Sequence, residues 1–110
     1  MAFEIIEACG AAQVQQVRAL LRDYVAQNLV DLSSQNIDAE IAGLPGRYAA
    51  PSGTLLLASD RDGTPAGCVA IHKFGDIGDA EMKRLFVAPT YRGLGLGKRL
   101  VTEAIDRAAK

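Results

Sequence analysis

The sequence is poor in the residues that most often announce a chemistry. It holds one histidine, His72, and two cysteines, Cys9 and Cys68, among 110 residues. Two cysteines so far apart make neither a disulfide scaffold nor a zinc site. No Cys/His constellation accompanies either one, which argues against a catalytic thiol. Both are expected as reduced thiols in a core. An excess of charge of one sign is missing too. The formal net charge is −1, so no global field draws the chain to nucleic acid or to an anionic membrane. Basic residues gather only locally, at Lys83/Arg84 and at Arg92/Lys98/Arg99. No apolar run approaches the length that spans a bilayer. The opening MAFEIIEACG lacks the basic region and long apolar core of a signal peptide, so a cytoplasmic location is expected.

What is present is the composition of a folded domain, 49% hydrophobic and 23% charged. At 110 residues this suits one domain, 1–110, with one modest core. Phe3 to Glu7 reads as a short strand. Val14, Val17, Leu20, Leu21, Tyr24 and Val25 share one helical face, with Gln15, Gln16, Arg18, Arg22 and Asp23 opposite, which predicts a helix running to about Asn28. Ile37, Ile41 and Leu44 are spaced for a second short helix, ended by Pro45-Gly46. A loop carrying Tyr48 follows. Strands are then predicted over Thr54–Ser59, Ala66–Phe74 and Ala80–Val87, separated by Asp60-Arg61-Asp62-Gly63 and by a turn over 75–79. Connections this short argue antiparallel hairpins, and Gly63 can supply a positive φ.

The stretch Glu81 to Lys98, EMKRLFVAPTYRGLGLGK, is the most informative. Its apolar run Leu85-Phe86-Val87 ends a strand, and Pro89 breaks the ladder because it has no N–H. Leu100, Val101, Ala104, Ile105 and Ala108 then recur at helical spacing, so Gly93, Gly95 and Gly97 fall where a helix begins. The first turn of a helix carries unpaired N–H groups and the positive end of its dipole. Glycines there let an anion reach the backbone. Arg92 and Lys98 add charge at either end, which suits a phosphate or pyrophosphate.

Three phosphate patterns compete for this loop. A dinucleotide fingerprint GxGxxG starting at Gly93 would need glycine at Lys98. A P-loop would need glycine at Arg92 and a hydroxyl residue at Arg99. The pattern [RQ]xxGx[GA] after a strand is met by Arg92, Gly95 and Gly97. On that motif, the strand before it, the amphipathic helix after it and the element order β–α–α–β–β–β–α, the chain resembles the GCN5-related N-acetyltransferase (GNAT) superfamily over its whole length.

The resemblance implies an α/β acyl-CoA N-acyltransferase fold, a mixed, mostly antiparallel sheet flanked by helices. It implies acetyl-CoA as donor, no metal, and direct attack by a primary amine of a small or amino-acid-like acceptor. The pyrophosphate would be held by Arg92, Gly93, Leu94, Gly95, Leu96, Gly97 and Lys98, mainly through backbone N–H groups. Backbone groups of Leu85, Phe86 and Val87 would meet the pantetheine amides, with the N–H of Val87 as oxyanion donor. Glu81, eleven residues before Arg92, matches the family's general base, and a surface carboxylate at a strand end is the competing reading. Tyr48 would touch the acceptor, and Asp31, Ser33, Ser34 and Asn36 would line its site. His72 is expected to be structural or exposed, Tyr24 to be core, and Tyr91 to pack beside the loop.

Family members continue with a fifth strand, a helix that usually brings a tyrosine to protonate the leaving thiolate, and a final strand pair. These 110 residues therefore read as a fold truncated before the fifth strand. A chain naturally this short would be completed by a second copy, as a homodimer. A CoA-binding module without turnover is the alternative function.

Overall fold

The computed structural model describes residues 3–27, 41–44, 46–48, 53–74 and 79–108. Four strands, β1 (Phe3–Glu7), β2 (Gly53–Asp60), β3 (Pro65–Phe74) and β4 (Asp79–Val87), form one sheet in the order β1-β2-β3-β4. All three pairings are antiparallel. Helix α1 (Ala11–Gln27) covers one face and helix α2 (Leu96–Ala108) the other.

The two-sided cover explains the run Leu55-Leu56-Leu57-Ala58. All four are buried. A strand alternates its side chains between faces, so a strand covered on both sides is apolar throughout. Leu55 and Leu57 join Val14, Val17, Leu20 and Leu21 of α1 in one core. Leu56, Ala58, Val69 and Ile71 join Leu96, Leu100 and Ala104 of α2 in the other. The buried stripe on α2 is thus Leu96-Leu100-Ala104, spaced by four. Ile105, expected on that face, is 57% exposed. The helix is rotated so that Leu96, at its first position, is core.

The second predicted helix lies mostly outside the described residues. Its described end is a helical turn at 41–42, followed by a 3-10 turn at Gly46–Tyr48. Arg18 of α1 holds this segment. Its Nε donates to the carbonyl of Ile41 at 2.9 Å, and its terminal nitrogen donates to those of Ala42 and Leu44 at 3.3 and 3.4 Å. A rigid five-donor fork suits this gathering of carbonyls.

Two irregularities shape β4. Its register with β3 is Gly67↔Val87 and Cys68↔Phe86, but Ala70 pairs with Lys83, so β4 carries one extra residue at Arg84–Leu85. Arg84 has φ 58°, the left-handed region that a non-glycine residue rarely enters. This is a β-bulge, which bends the strand and locally interrupts its pairing. The Sγ of Cys68 lies beneath it, 3.7 Å from the carbonyl oxygen of Arg84. Cys68 is a buried thiol as expected, and burial pushes its pKa up to about 12. Cys9 is not a core thiol. It is exposed in the connection between β1 and α1.

Candidate active site at the end of strand β4

The site begins where β4 leaves the sheet. The N–H of Ala88 donates to the carbonyl of Ala66 at 2.9 Å, extending the β3–β4 ladder one step past the strand. In an antiparallel ladder, residues alternate between facing the partner strand and facing away. Ala88 faces β3, so Val87 turns its N–H and C=O to the outer side. Phe86 turns its own toward β3. Among the described residues no strand lies beyond β4, so Val87 presents its backbone at an open edge.

Pro89–Tyr91 then form a 3-10 turn, with the N–H of Tyr91 donating to Ala88 at 2.9 Å and that of Arg92 to Pro89 at 3.3 Å. Proline opens this turn because its fixed φ suits a helical start and its missing N–H costs nothing there. Gly93 and Gly95 have φ 81° and 82°. Nothing lies within 4 Å of where a Cβ would stand on either, so backbone conformation, not space, requires glycine. At Gly97 a Cβ would make an ordinary 3.7 Å contact with Val87. Helix α2 starts at Leu96, and the N–H of Arg99 is the first to find a helical partner, the carbonyl of Gly95 at 3.1 Å. The amides of Leu96, Gly97 and Lys98 therefore form the unpaired first turn. With the helix dipole behind them they form an end whose chemistry suits an anion.

The charged residues divide their work. Arg92 donates its Nε to the carbonyl of Val87 at 2.9 Å, and its guanidinium lies 5.6 Å from the Phe86 ring centroid. It ties the loop to the end of β4 through a cation–π contact and a hydrogen bond. Lys98 is exposed beside Arg99 and Thr102, at a cleft of about 260 Å³. The side chain of Leu96 is buried and that of Leu94 is 47% exposed, so only their amides suit an anion.

Glu81 stands near the other end of β4. Met82 belongs to the α2-side core, so alternation puts Glu81 and Lys83 on the α1 side. Glu81 is directly opposite His72 in the register. Its side chain is 52% exposed, and the Lys83 ammonium is 3.6 Å away. Such an exposed pair adds little stability. Tyr48 is 1% exposed and packed in the α1-side core. Tyr24 is half-buried against Phe86, with ring centroids 5.6 Å apart. Asp31, Ser33, Ser34 and Asn36 lie outside the described residues. No group of three or more metal-ligating side chains occurs among the described residues, and no described helix is long and apolar enough to cross a membrane.

Sequence reading missed two features. The bulge at Arg84 carries no compositional mark. The partner of Tyr91 is Asp60, whose Oδ2 accepts from the Tyr91 hydroxyl at 2.7 Å. The acidic DRDG turn was legible, but not which loop it faces.

An antiparallel sheet between two helices, with a glycine loop feeding a helix N-terminus from an edge strand, defines an acyl-CoA N-acyltransferase fold. The sequence model of the Acetyltransferase (GNAT) family matches residues 16–110, and the chain belongs to that family. An uncharacterized N-acetyltransferase of Schizosaccharomyces pombe is 45% identical over 93 residues, 84% of this chain and 57% of that one. A GNAT-family acetyltransferase of Staphylococcus aureus superposes with TM-score 0.78 at 20% identity, over 98% of this chain and 66% of that one. An aminoglycoside 6'-N-acetyltransferase complexed with coenzyme A superposes with TM-score 0.68 at 19% identity, over 99% and 56% of the two chains. The chain therefore spans little more than half the length of the fission-yeast relative.

Proposed function

We propose that the chain is an acetyl-CoA-dependent N-acetyltransferase domain that acetylates a primary amine of a small or amino-acid-like acceptor by direct attack. One observation carries this reading. The open N-terminal turn of α2 and the outward backbone of Val87 adjoin the same strand that carries Glu81. A donor with its pyrophosphate on the amides of Leu96–Lys98 would run its pantetheine arm back along that edge. The backbone of Leu85 and Val87 then meets the pantetheine amides. Phe86, turned inward, contributes its ring to the core.

Glu81 is the base in this reading. It takes a proton from the acceptor ammonium so that the neutral amine attacks the thioester carbon. The tetrahedral adduct then collapses, the C–S bond breaks, and CoA leaves as the thiolate and takes up the proton that the acylated nitrogen sheds. The oxyanion donor belongs nearer to it than Val87. Measured along β3, Val87 lies five residues from Glu81, about 17 Å, whereas Leu85, at the bulge opposite Val69, is about 10 Å away. A water between base and amine spans the remainder. The N–H of Leu85 would then stabilise the developing oxyanion, and the edge holds donor and acceptor in line. Tyr48 shapes the floor of the α1 side and, being buried, meets no acceptor directly.

The test is CoA release from acetyl-CoA with a panel of small amines, comparing the parent with Glu81→Gln. The expected result is transfer to at least one amine, reduced about 100-fold or more in the variant, with acetyl-CoA affinity unchanged. An unchanged rate would remove the base from Glu81. Acetyl-CoA binding with no acceptor would favour a CoA-binding module.

A further inference from the structure

Tyr91 immediately precedes Arg92, where the glycine loop starts. Its ring packs edge-on against Phe3, with centroids 5.8 Å apart and planes at 77°. Its hydroxyl donates to Asp60 Oδ2 at 2.7 Å. The other carboxylate oxygen, Oδ1, accepts the N–H of Asp62 at 2.9 Å and of Thr64 at 3.0 Å. The backbone closes the same turn, with Gly63 donating to Asp60 at 3.0 Å and Asp60 to Thr64 at 2.9 Å. One carboxylate thus organises the β2–β3 turn and reaches a loop 31 residues further along the chain. Arg99 of α2 also donates to the Phe3 carbonyl, at 3.4 Å.

This matters because the loop beyond Tyr91 is weakly determined by its own residues. Gly93 and Gly95 hold positive φ without steric enforcement, and glycine loses the most freedom on ordering. Such a loop keeps an anion-binding shape only if its ends are fixed. Helix α2 fixes the far end. Arg92 ties the near end to β4, and Tyr91 ties it to the turn between β2 and β3.

We propose that Asp60 and Tyr91 are a positioning pair for the pyrophosphate loop, setting the affinity for the nucleotide end of acetyl-CoA without touching it. The proposal rests on reading that loop as the acetyl-CoA site. A charge-assisted hydrogen bond is strong enough for the task, and the turn that supplies it is itself closed by four hydrogen bonds.

Tyr91→Phe removes the hydroxyl and keeps the ring on Phe3. Two measurements follow: amide hydrogen exchange of the ligand-free protein over 92–98, and calorimetric titration with acetyl-CoA. Faster exchange confined to the loop and an affinity weakened about fivefold are expected. Adding Asp60→Asn, which keeps an oxygen for the turn amides, should weaken binding no further, because both changes break one bond. If the parent binds acetyl-CoA and Tyr91→Phe binds it as tightly, the positioning role is overturned and the site reading stands. Faster exchange spread over the whole sheet would mark a stabilising role only and overturn it as well. If the parent itself does not bind acetyl-CoA, the site reading fails and takes the role with it.

Discussion

A Cβ built on Gly67 would stand 2.8 Å from the carbonyl oxygen of Phe86, 3.1 Å from Leu100 Cδ1 and 3.4 Å from Leu96 Cδ2. The first distance is closer than real Cβ atoms come to anything, and the obstacle is backbone. Gly67 of β3 is therefore wedged between the end of β4 and the leucines of α2, one strand in from the point where β4 gives way to the loop. Gly67→Ala should cost about 1–3 kcal/mol through overpacking, read as a lower urea midpoint. It should also weaken acetyl-CoA binding, because the end of β4 beside the Phe86 carbonyl must shift and the loop follows directly from it. A variant as stable as the parent would show that this close approach does not set the helix position.

Gly93 and Gly95 make the opposite prediction. Each has open space where a Cβ would go but a φ near +80°. Alanine there should cost about 1–2 kcal/mol per site from backbone strain alone, and asparagine, which tolerates the left-handed region better, should cost less. Thermal melts of the four single variants check the order. Equal losses for alanine and asparagine would count against these backbone angles.

The two thiols should behave differently. Cys9 is exposed, while Cys68 is fully buried with its pKa pushed to about 12. A thiolate is the reactive form. Titration with a disulfide reagent at neutral pH should therefore count one thiol in the native protein and two in denaturant. Two fast-reacting native thiols would contradict the packing beneath the bulge.

The Asp60–Tyr91 bond carries a pH signature. The Tyr91 hydroxyl first, then the Thr64 and Asp62 amides, hold the Asp60 carboxyl below its ordinary value, outweighing desolvation. A folded pKa lowered in this way favours folding fully above the unfolded carboxylate value, about 3.9. That contribution disappears as pH falls through the lower folded value. Tyr91 is shifted up, chiefly by its bond to Asp60. Its contribution is complete below about pH 10 and is lost as pH rises through the raised value. Urea midpoints of the parent and Asp60→Asn should differ at pH 6 and converge in acid. A constant gap would mean that the carboxylate does not act through its charge.

Much of the fold was legible in the sequence. The predicted strand Phe3–Glu7 matches β1, and Thr54–Ser59 falls one residue short at each end of β2. Burial follows periodicity, and both helices cover faces whose apolar residues mark them. The glycine loop was legible because positive φ and an open helix start both select glycine. The other features depend on chain neighbours that pattern does not encode. Gly67 sits inside an unremarkable strand, and its constraint comes first from the Phe86 carbonyl of β4 and then from Leu100 and Leu96. Arg84 adopts a glycine-like φ without being glycine. Tyr48 looked like a loop residue open to an acceptor and is buried, because the turn at Gly46–Tyr48 folds back onto β2 and β3. Ile105 shares the helical spacing of α2 but falls off the edge of the buried stripe.

The central claim is that the loop from Arg92 to Lys98 receives the pyrophosphate of acetyl-CoA. Calorimetric titration of the 110-residue protein with acetyl-CoA, ATP and NAD tests it most directly. Saturable binding of acetyl-CoA, with neither ATP nor NAD bound, is the predicted result. A folded protein that ignores acetyl-CoA, or that binds ATP or NAD as tightly, would contradict it.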